Sequence, residues 1–115
     1  MLRQTEYLMM TDTIIEKRYL VDLEDEGDVV AQLLWGIVVE DRKSRWVAGD
    51  FVCTSPVVEQ MGERLYRTRN SKYLGQAEGH KVALKAEALL ELCSGYSPEE
   101  YLARKALRNE AFYVQ

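Results

Sequence analysis

The stretch Trp46–Ser55, WVAGDFVCTS, followed by Leu65–Tyr73, LYRTRNSKY, decides the fold that we predict for this chain. Apolar and aromatic residues are mixed with small and polar ones in both, and Gly49-Asp50 marks a tight turn. This pattern is typical of a β-meander, in which short antiparallel strands follow one another. Pro56 lies within the strand predicted over residues 51–58, so this strand either lies at a sheet edge there or is broken by a bulge, because proline cannot donate to a sheet ladder.

Two longer strands are predicted before the meander. Residues 13–21 alternate with charged groups on both faces, which favours an edge strand. Residues 33–39 form a nearly continuous apolar run in which Gly36 predicts a bend or a bulge. The segment Asp22–Asp28, with five acids in seven residues, is predicted to be a solvated loop.

The last third of the chain has helical signals. Four residues spaced at i, i+4, i+7 and i+11 predict a helix from about 80 to 94, which Gly95 ends as a left-handed cap; they are Val82, Ala86, Leu89 and Cys93. Ser97-Pro98-Glu99-Glu100 predicts a second helix, since serine, proline and glutamate occupy the positions of a capping box. The short connection predicts an antiparallel helical hairpin.

These signals together predict an α+β fold. We expect one domain over residues 1–115, with a β region over about 13–75 and the hairpin over about 80–110. The β region is predicted to be a small antiparallel β-meander or a partly open barrel, followed by the C-terminal antiparallel helical hairpin.

Composition excludes several classes of protein. The chain has 115 residues, of which 47% are hydrophobic and 30% charged, values typical of a globular domain and not of a disordered one. Its apolar runs are too short to span a bilayer, and its first residues do not form a signal peptide. We therefore predict a cytoplasmic protein.

The net charge of −4 is unevenly distributed. Residues 1–40 carry three basic and nine acidic groups, whereas residues 41–75 carry seven basic and four acidic groups. The two parts can neutralise each other within the fold, or they can steer charged partners. We leave both interpretations open.

No group of residues predicts catalysis. His80 is the single histidine, and neither a nucleophile nor a carboxylate adjoins it in sequence. Cys53 and Cys93 are too few to form a structural zinc site, and we predict that both are buried, inert thiols. We accordingly predict a non-enzymatic protein without cofactor or metal.

Our first functional hypothesis is a protein-binding module. The acidic residues Glu24, Asp25 and Glu26 are predicted to steer a basic partner, because exposed charge acts mainly on the association rate. Trp46 is a candidate anchor, although a tryptophan beside a tight turn more often packs into the core.

The alternative is a small nucleic-acid-binding module on the basic strand. Cations would contact phosphates while an aromatic ring stacks on a base, as in small sheets that bind single strands. The candidates are Arg64, Arg67, Arg69, Lys72 and an exposed Tyr73. A pI of about 5.1 speaks against this alternative, since such proteins usually carry a basic field.

Leucines outside a single stripe of the predicted hairpin favour self-association. An apolar surface that the small sheet cannot cover usually marks an interface, and twofold dimers are the commonest solution. The residues concerned are Leu84, Leu90, Leu92, Leu102 and Leu107. We predict a homodimer.

Three blocks of sequence carry a family resemblance: Trp35–Asp41, Gly49–Ser55, and Thr68–Tyr73 with Gly75. Together they resemble small uncharacterised proteins that phages, prophages and other mobile elements of Gram-negative bacteria encode. The resemblance covers about residues 35–79 and does not include the helical hairpin. It implies an accessory protein that binds a host or mobile-element protein, which includes inhibitors of bacterial defence.

Overall fold

The computed structural model describes residues 3–114. A short N-terminal helix precedes seven strands, which two further helices follow. In chain order these elements are α1 (Gln4–Met10), β1 (Thr13–Asp25), β2 (Asp28–Asp41), β3 (Phe51–Cys53), β4 (Val57–Gln60), β5 (Leu65–Thr68), β6 (Lys72–Gly75), β7 (His80–Lys85), a 3₁₀ turn (Ala86–Ala88), α2 (Leu89–Cys93) and α3 (Pro98–Val114).

The strands form one open sheet in the order β3-β2-β1-β6-β5-β4, and β7 also pairs with β1. Four of the strand pairs are antiparallel, whereas β1 pairs in parallel with both β6 and β7. The predicted α+β class is confirmed, but the predicted meander is present only as β4-β5-β6, because β3 pairs with β2 and not with β4. The break predicted at Pro56 is also present, since β3 and β4 lie at opposite ends of the strand order on either side of it.

The prediction that residues 13–21 form an edge strand is wrong, because β1 is the central strand. Its first residues, Thr13–Ile15, pair with β6, and its later residues, Tyr19–Glu24, pair with β7. The edge of β1 that is not paired with β2 therefore has a different partner in each half of the strand.

A bulge separates the two halves of β1. Lys17 and Arg18 lie between the pairs Glu16–Ile37 and Tyr19–Trp35, opposite Gly36, and Lys17 has a φ of 52°. The irregularity predicted at Gly36 is thus located in β1, opposite Gly36, whereas the extra residues of β2 are Val30 and Val39. A Cβ at Gly36 would lie 3.1 Å from the carbonyl oxygen of Glu16, so this position has little room for a side chain.

Two hydrophobic clusters stabilise the fold. The first joins β1 and β2 to β7, α2 and α3, and its buried members are Val21, Leu23, Leu33, Trp35, Leu84, Ala88, Leu92 and Tyr101. The second joins β1, β2 and β3 to the meander strands β5 and β6, and its buried members are Ile15, Leu20, Leu34, Val38, Val52, Tyr66 and Tyr73.

The helix predicted over residues 80–94 is wrong in its first part, which forms β7. Leu84 is buried and Val82 half-buried, whereas Lys81, Ala83 and Lys85 are exposed. This alternation fits a strand as well as the i, i+4 spacing fits a helix, and the edge of β1 supplies a partner for it. Only the short α2 remains of the predicted first helix, so the long hairpin over 80–110 is not present as such.

The predicted helix ends are confirmed. At the end of α2, Gly95 has a φ of 111°, and the amide of Tyr96 donates to the carbonyl of Glu91, as in a Schellman motif. At the start of α3, the amide of Glu100 donates to Ser97 Oγ, and the amide of Ser97 donates to Glu100 Oε1. These reciprocal bonds form the capping box expected there.

Candidate functional site

The acidic segment is not the predicted loop but the tip of the β1–β2 hairpin, since Asp22–Asp25 belong to β1 and Asp28 belongs to β2. Glu26 and Gly27 form its two-residue turn, with φ values of 51° and 87° between the paired residues Asp25 and Asp28. Positive φ at both central residues is the requirement of a type I′ turn, which glycine and asparagine satisfy better than glutamate. The turn geometry itself therefore does not need an acid at position 26.

The side chains of the tip have free charge. Asp25, Glu26 and Asp28 are exposed, and among residues 3–114 no hydrogen bond or ion pair joins these carboxylates to another group. Glu24 faces Lys85 across the β1–β7 ladder without forming an ion pair. In contrast, Asp22 accepts a hydrogen bond from Gln32 and lies 3.7 Å from the Lys81 ammonium, so its charge is balanced locally.

Two exposed valines follow the acids. Val29 and Val30 are 56% and 58% exposed. They lie on a part of β2 whose outer edge has no strand neighbour among the described residues, because β3 pairs with β2 only at Trp35–Ile37. Periodicity alone does not reveal this edge, since it depends on where β3 ends.

Trp46 is half-buried and packs against the second hydrophobic cluster. The guanidinium of Arg45 lies 4.1 Å from the centre of its ring, a cation–π contact. Its backbone amide donates to Asp41 Oδ2 at 3.2 Å. One part of the indole is thus fixed, and its role as an anchor stays a prediction.

The two cysteines do not match the prediction that both thiols are buried. Cys53 at the end of β3 is half-buried, whereas Cys93 at the end of α2 is exposed. Their Sγ atoms lie 3.2 Å apart. Both line a cavity of about 370 Å³ together with Trp46, Asp50, Phe51 and Val52. The contact between the two cysteines could not be predicted from the sequence, because they lie far apart in the chain and in two different elements.

A polar network around Asp41 connects the β2–β3 loop to the start of β1 and the β5–β6 turn. Arg45 donates to Ser71 Oγ at 2.7 Å and to Thr13 Oγ1 at 2.8 Å, and it forms an ion pair with Asp41. Lys43 donates to the carbonyl of Asn70 at 2.6 Å. Asp41, Asn70 and Ser71, which belong to the sequence blocks that carry the family resemblance, therefore help to join these three segments.

The pKa of Asp41 is strongly perturbed by this network. Burial by itself would raise the pKa, but hydrogen bonds from the side chains of Arg45 and Thr13, and from the amides of Arg45 and Lys43, outweigh it. The pKa of Asp41 is consequently held well below its usual range, and its carboxylate stays ionised.

The basic strand is only partly available for binding. Arg64 donates to the carbonyls of Gly75 and Gln76, and Arg67 forms an ion pair of 3.1 Å with Glu59. Arg69 is exposed and Lys72 is half-buried. These two residues line a polar cavity of about 190 Å³ at the β5–β6 turn, to which Arg67 also contributes.

The exposure predicted for Tyr73 is wrong. Tyr73 is 3% exposed and belongs to the second hydrophobic cluster, as does Tyr66. Strand alternation places both rings on the covered face of the meander, so neither ring is free to stack on a base.

His80 begins β7, and its ring lies 5.5 Å from the ring of Tyr19. The Tyr19 hydroxyl donates to Glu99 at 3.3 Å. Burial, followed by the nearby Glu99 carboxylate, raises the pKa of Tyr19. A tyrosine with a raised pKa is a weaker acid, so this group has no sign of activation for proton transfer.

The family model that matches covers residues 6–91 and is described as a domain of unknown function, DUF6957. The chain belongs to this family. The matched region contains all seven strands and ends within α2, so Cys93 and α3 lie beyond it. Neither the search of curated proteins nor the search of solved structures finds a match.

Two structural observations concern other classes of site. None of the helices within residues 3–114 has both the length and the apolar character needed to cross a bilayer. In the same part of the chain, no three side chains of histidine, cysteine, aspartate or glutamate are grouped so as to hold a metal ion.

Proposed function

We propose that this chain is a non-enzymatic protein-binding module that contacts a basic partner through the tip of the β1–β2 hairpin. The observation that carries this proposal is the adjacency of unpaired acids at Asp25–Asp28 to the exposed apolar residues Val29 and Val30. Acids with free charge attract a partner over a distance, and apolar side chains beside them supply contact area.

The open edge of β2 supports a particular mode of binding. No strand in the described part of the chain pairs with the outer edge of residues 28–33, and an extended peptide can add a strand to such an edge. Sheet edges commonly carry charge that prevents indiscriminate pairing. The acids at the tip would therefore admit an extended segment with basic residues in preference to an acidic one.

The resemblance to mobile-element proteins supports the class of partner that we propose, a host or mobile-element protein, with inhibition of a host defence protein as one form of the activity. Trp46 is the proposed second contact, because its half-buried ring lies beside a cavity of about 370 Å³. The nucleic-acid alternative is less well supported, since Arg64 and Arg67 are engaged within the fold and Tyr73 is buried.

The proposal can be tested with two synthetic peptides of equal length, one alternating lysine with valine and one alternating aspartate with valine. We expect the chain to bind the lysine peptide, with NMR shift changes confined to residues 24–33, and to ignore the aspartate peptide. Association should slow as salt rises, because screening weakens interactions between exposed charges.

Two matched triple variants distinguish the effect of the acids at the hairpin tip from the effect of the net charge of the chain. The substitution of Ser for Glu24, Asp25 and Glu26 should slow association several-fold at low salt. The substitution of Ser for Glu40, Glu63 and Glu78 removes the same charge from exposed positions elsewhere and should have little effect on the association rate. Val30→Ser should speed dissociation. Equal effects of the two triple variants, or none from either, would refute the proposed site.

A further inference from the structure

Cys53 and Cys93, the two cysteines of the chain, lie 40 residues apart in sequence and 3.2 Å apart at their sulfur atoms. We propose that they form a redox-active dithiol, a modification site that a low-molecular-weight disulfide converts into an intramolecular disulfide. This inference does not depend on the proposed binding function.

Trp35 holds both cysteines in place. Cys53 is its direct neighbour across the β2–β3 ladder, and the indole nitrogen donates to the carbonyl oxygen of Leu92 at 3.2 Å, one residue before Cys93. Both Trp35 and Leu92 are buried, with exposures of 4% and 0%. The ends of β3 and α2 are thus tied to a single rigid side chain.

Phe51 also contacts the junction between β3 and α2. Its ring stacks on that of Trp35 with centres 6.2 Å apart. The ring also lies so close to Gly95 that a Cβ there would be 3.2 Å from it. A disulfide has an S–S distance of about 2.05 Å, so the sulfur atoms have to approach by only about 1 Å to form the bond.

Because the two thiols have different environments, we expect them to react in a defined order. Cys93 is exposed, so its thiolate attacks one sulfur of the external disulfide, whose S–S bond breaks and releases one thiolate. Burial, together with the neighbouring Cys93, raises the pKa of Cys53 well above its usual range. Cys53 therefore reacts second, after Cys93 has lost its charge in the mixed disulfide.

In the second step the sulfur of Cys53 attacks the sulfur of Cys93 and gives its proton to solvent, and the second external thiolate leaves. The protein loses two electrons and two protons in total, and the external disulfide is reduced to two thiols. The cavity of about 370 Å³ beside the pair provides room for a reagent to reach it.

The product would connect β3 to α2 and close a long loop. Such a bond restricts the unfolded chain, so the oxidised protein should unfold at a higher temperature than the reduced protein. It would also fix the wall of the cavity that Trp46 lines.

The experiment incubates the full chain with oxidised glutathione, blocks free thiols with a maleimide, and measures intact mass. We expect wild type to lose the mass of two hydrogen atoms and to carry neither a glutathione nor a maleimide adduct. Its Tm should rise by at least about 5 °C. Cys53→Ala should accumulate the glutathione adduct on Cys93, whereas Cys93→Ser should react at least about tenfold more slowly because its remaining thiol is half-buried.

A relocated thiol serves as the matched control. Cys93→Ser combined with Ser94→Cys keeps two cysteines in the chain and moves one by a single exposed position. This variant should retain a mixed disulfide and form no intramolecular bond. Persistent mixed disulfide in wild type, an unreactive wild type, or equally rapid closure in the relocated variant would overturn the proposal. Circular dichroism of each reduced variant checks that it is folded.

Discussion

The indole nitrogen of Trp35 donates a hydrogen bond to the carbonyl oxygen of Leu92 across 3.2 Å, in a region where both residues are buried. This bond attaches α2 to the centre of the sheet and brings the end of α2 to β3. Together with the packing of the first hydrophobic cluster, it holds α2 against the sheet, where Cys93 lies beside Cys53.

Trp35→Phe should lower the free energy of unfolding by about 1–3 kcal/mol, because the carbonyl of Leu92 loses its side-chain donor, keeping the amide of Gly95, and the smaller ring leaves part of the buried indole's space empty. Urea denaturation of the reduced protein measures this loss. Trp46→Phe is the matched control and should cost less, since Trp46 is half-buried and its indole nitrogen has no hydrogen-bond partner within residues 3–114. A larger loss for the control would contradict this account of the core.

Asp41→Asn should lower the free energy of unfolding at pH 7 by about 2 kcal/mol, since hydrogen bonds to a charged group are among the stronger ones. The pKa of Asp41 is depressed in the folded state, so the charged form contributes stability above the ordinary carboxyl pKa of about 4. This contribution is lost as pH falls from about 4 towards the folded pKa.

The difference between wild type and Asp41→Asn should accordingly shrink between pH 7 and pH 3 in urea titrations. Glu40→Gln, at the exposed neighbouring position, is the control and should change stability little at either pH. A difference that stays constant over this range would show that the Asp41 network does not control the pH dependence.

Tyr73→Ala should lower the free energy of unfolding by about 3–5 kcal/mol, because a buried aromatic ring leaves a cavity in the second hydrophobic cluster. Arg69→Ser should leave stability within about 0.5 kcal/mol, since Arg69 is exposed. Thermal unfolding measures both changes, and an electrophoretic shift assay with short single and double strands tests binding.

This pair of variants also separates the two functional hypotheses. The protein-binding proposal expects no shift at low salt for wild type. Salt-sensitive binding that Arg69→Ser weakens without loss of stability would favour the nucleic-acid alternative, because released counterions make phosphate contacts depend on salt.

The homodimer remains a prediction, and the structure specifies where to test it. Leu90 is 80% exposed, Leu102 46% and Leu107 65%, whereas Leu84 and Leu92 are buried. We expect light scattering at tens of micromolar to give twice the chain mass, and Leu90→Glu to give a single-chain mass without loss of stability. A single-chain mass for wild type would disprove the dimer.

Short-range signals were sufficient for several elements. The sequence by itself determined the capping box at Ser97–Glu100, the left-handed cap at Gly95, the break at Pro56 and the meander over β4–β6. Each of these depends on residues only a few positions apart, whose backbone preferences and local hydrogen bonds act before any distant contact forms.

The tertiary structure alone decided the rest. Residues 80–85 fit either a helix or a strand, and β1 made them a strand because it offered an unpaired edge. Parallel pairing with β6 and β7 made β1 central, packing in the second hydrophobic cluster covered Tyr73, and the hydrogen bond from Trp35 to Leu92 lies beside the contact of Cys53 with Cys93. These outcomes depend on contacts between distant residues, and local periodicity carries no information about which free edge or carbonyl a segment will meet.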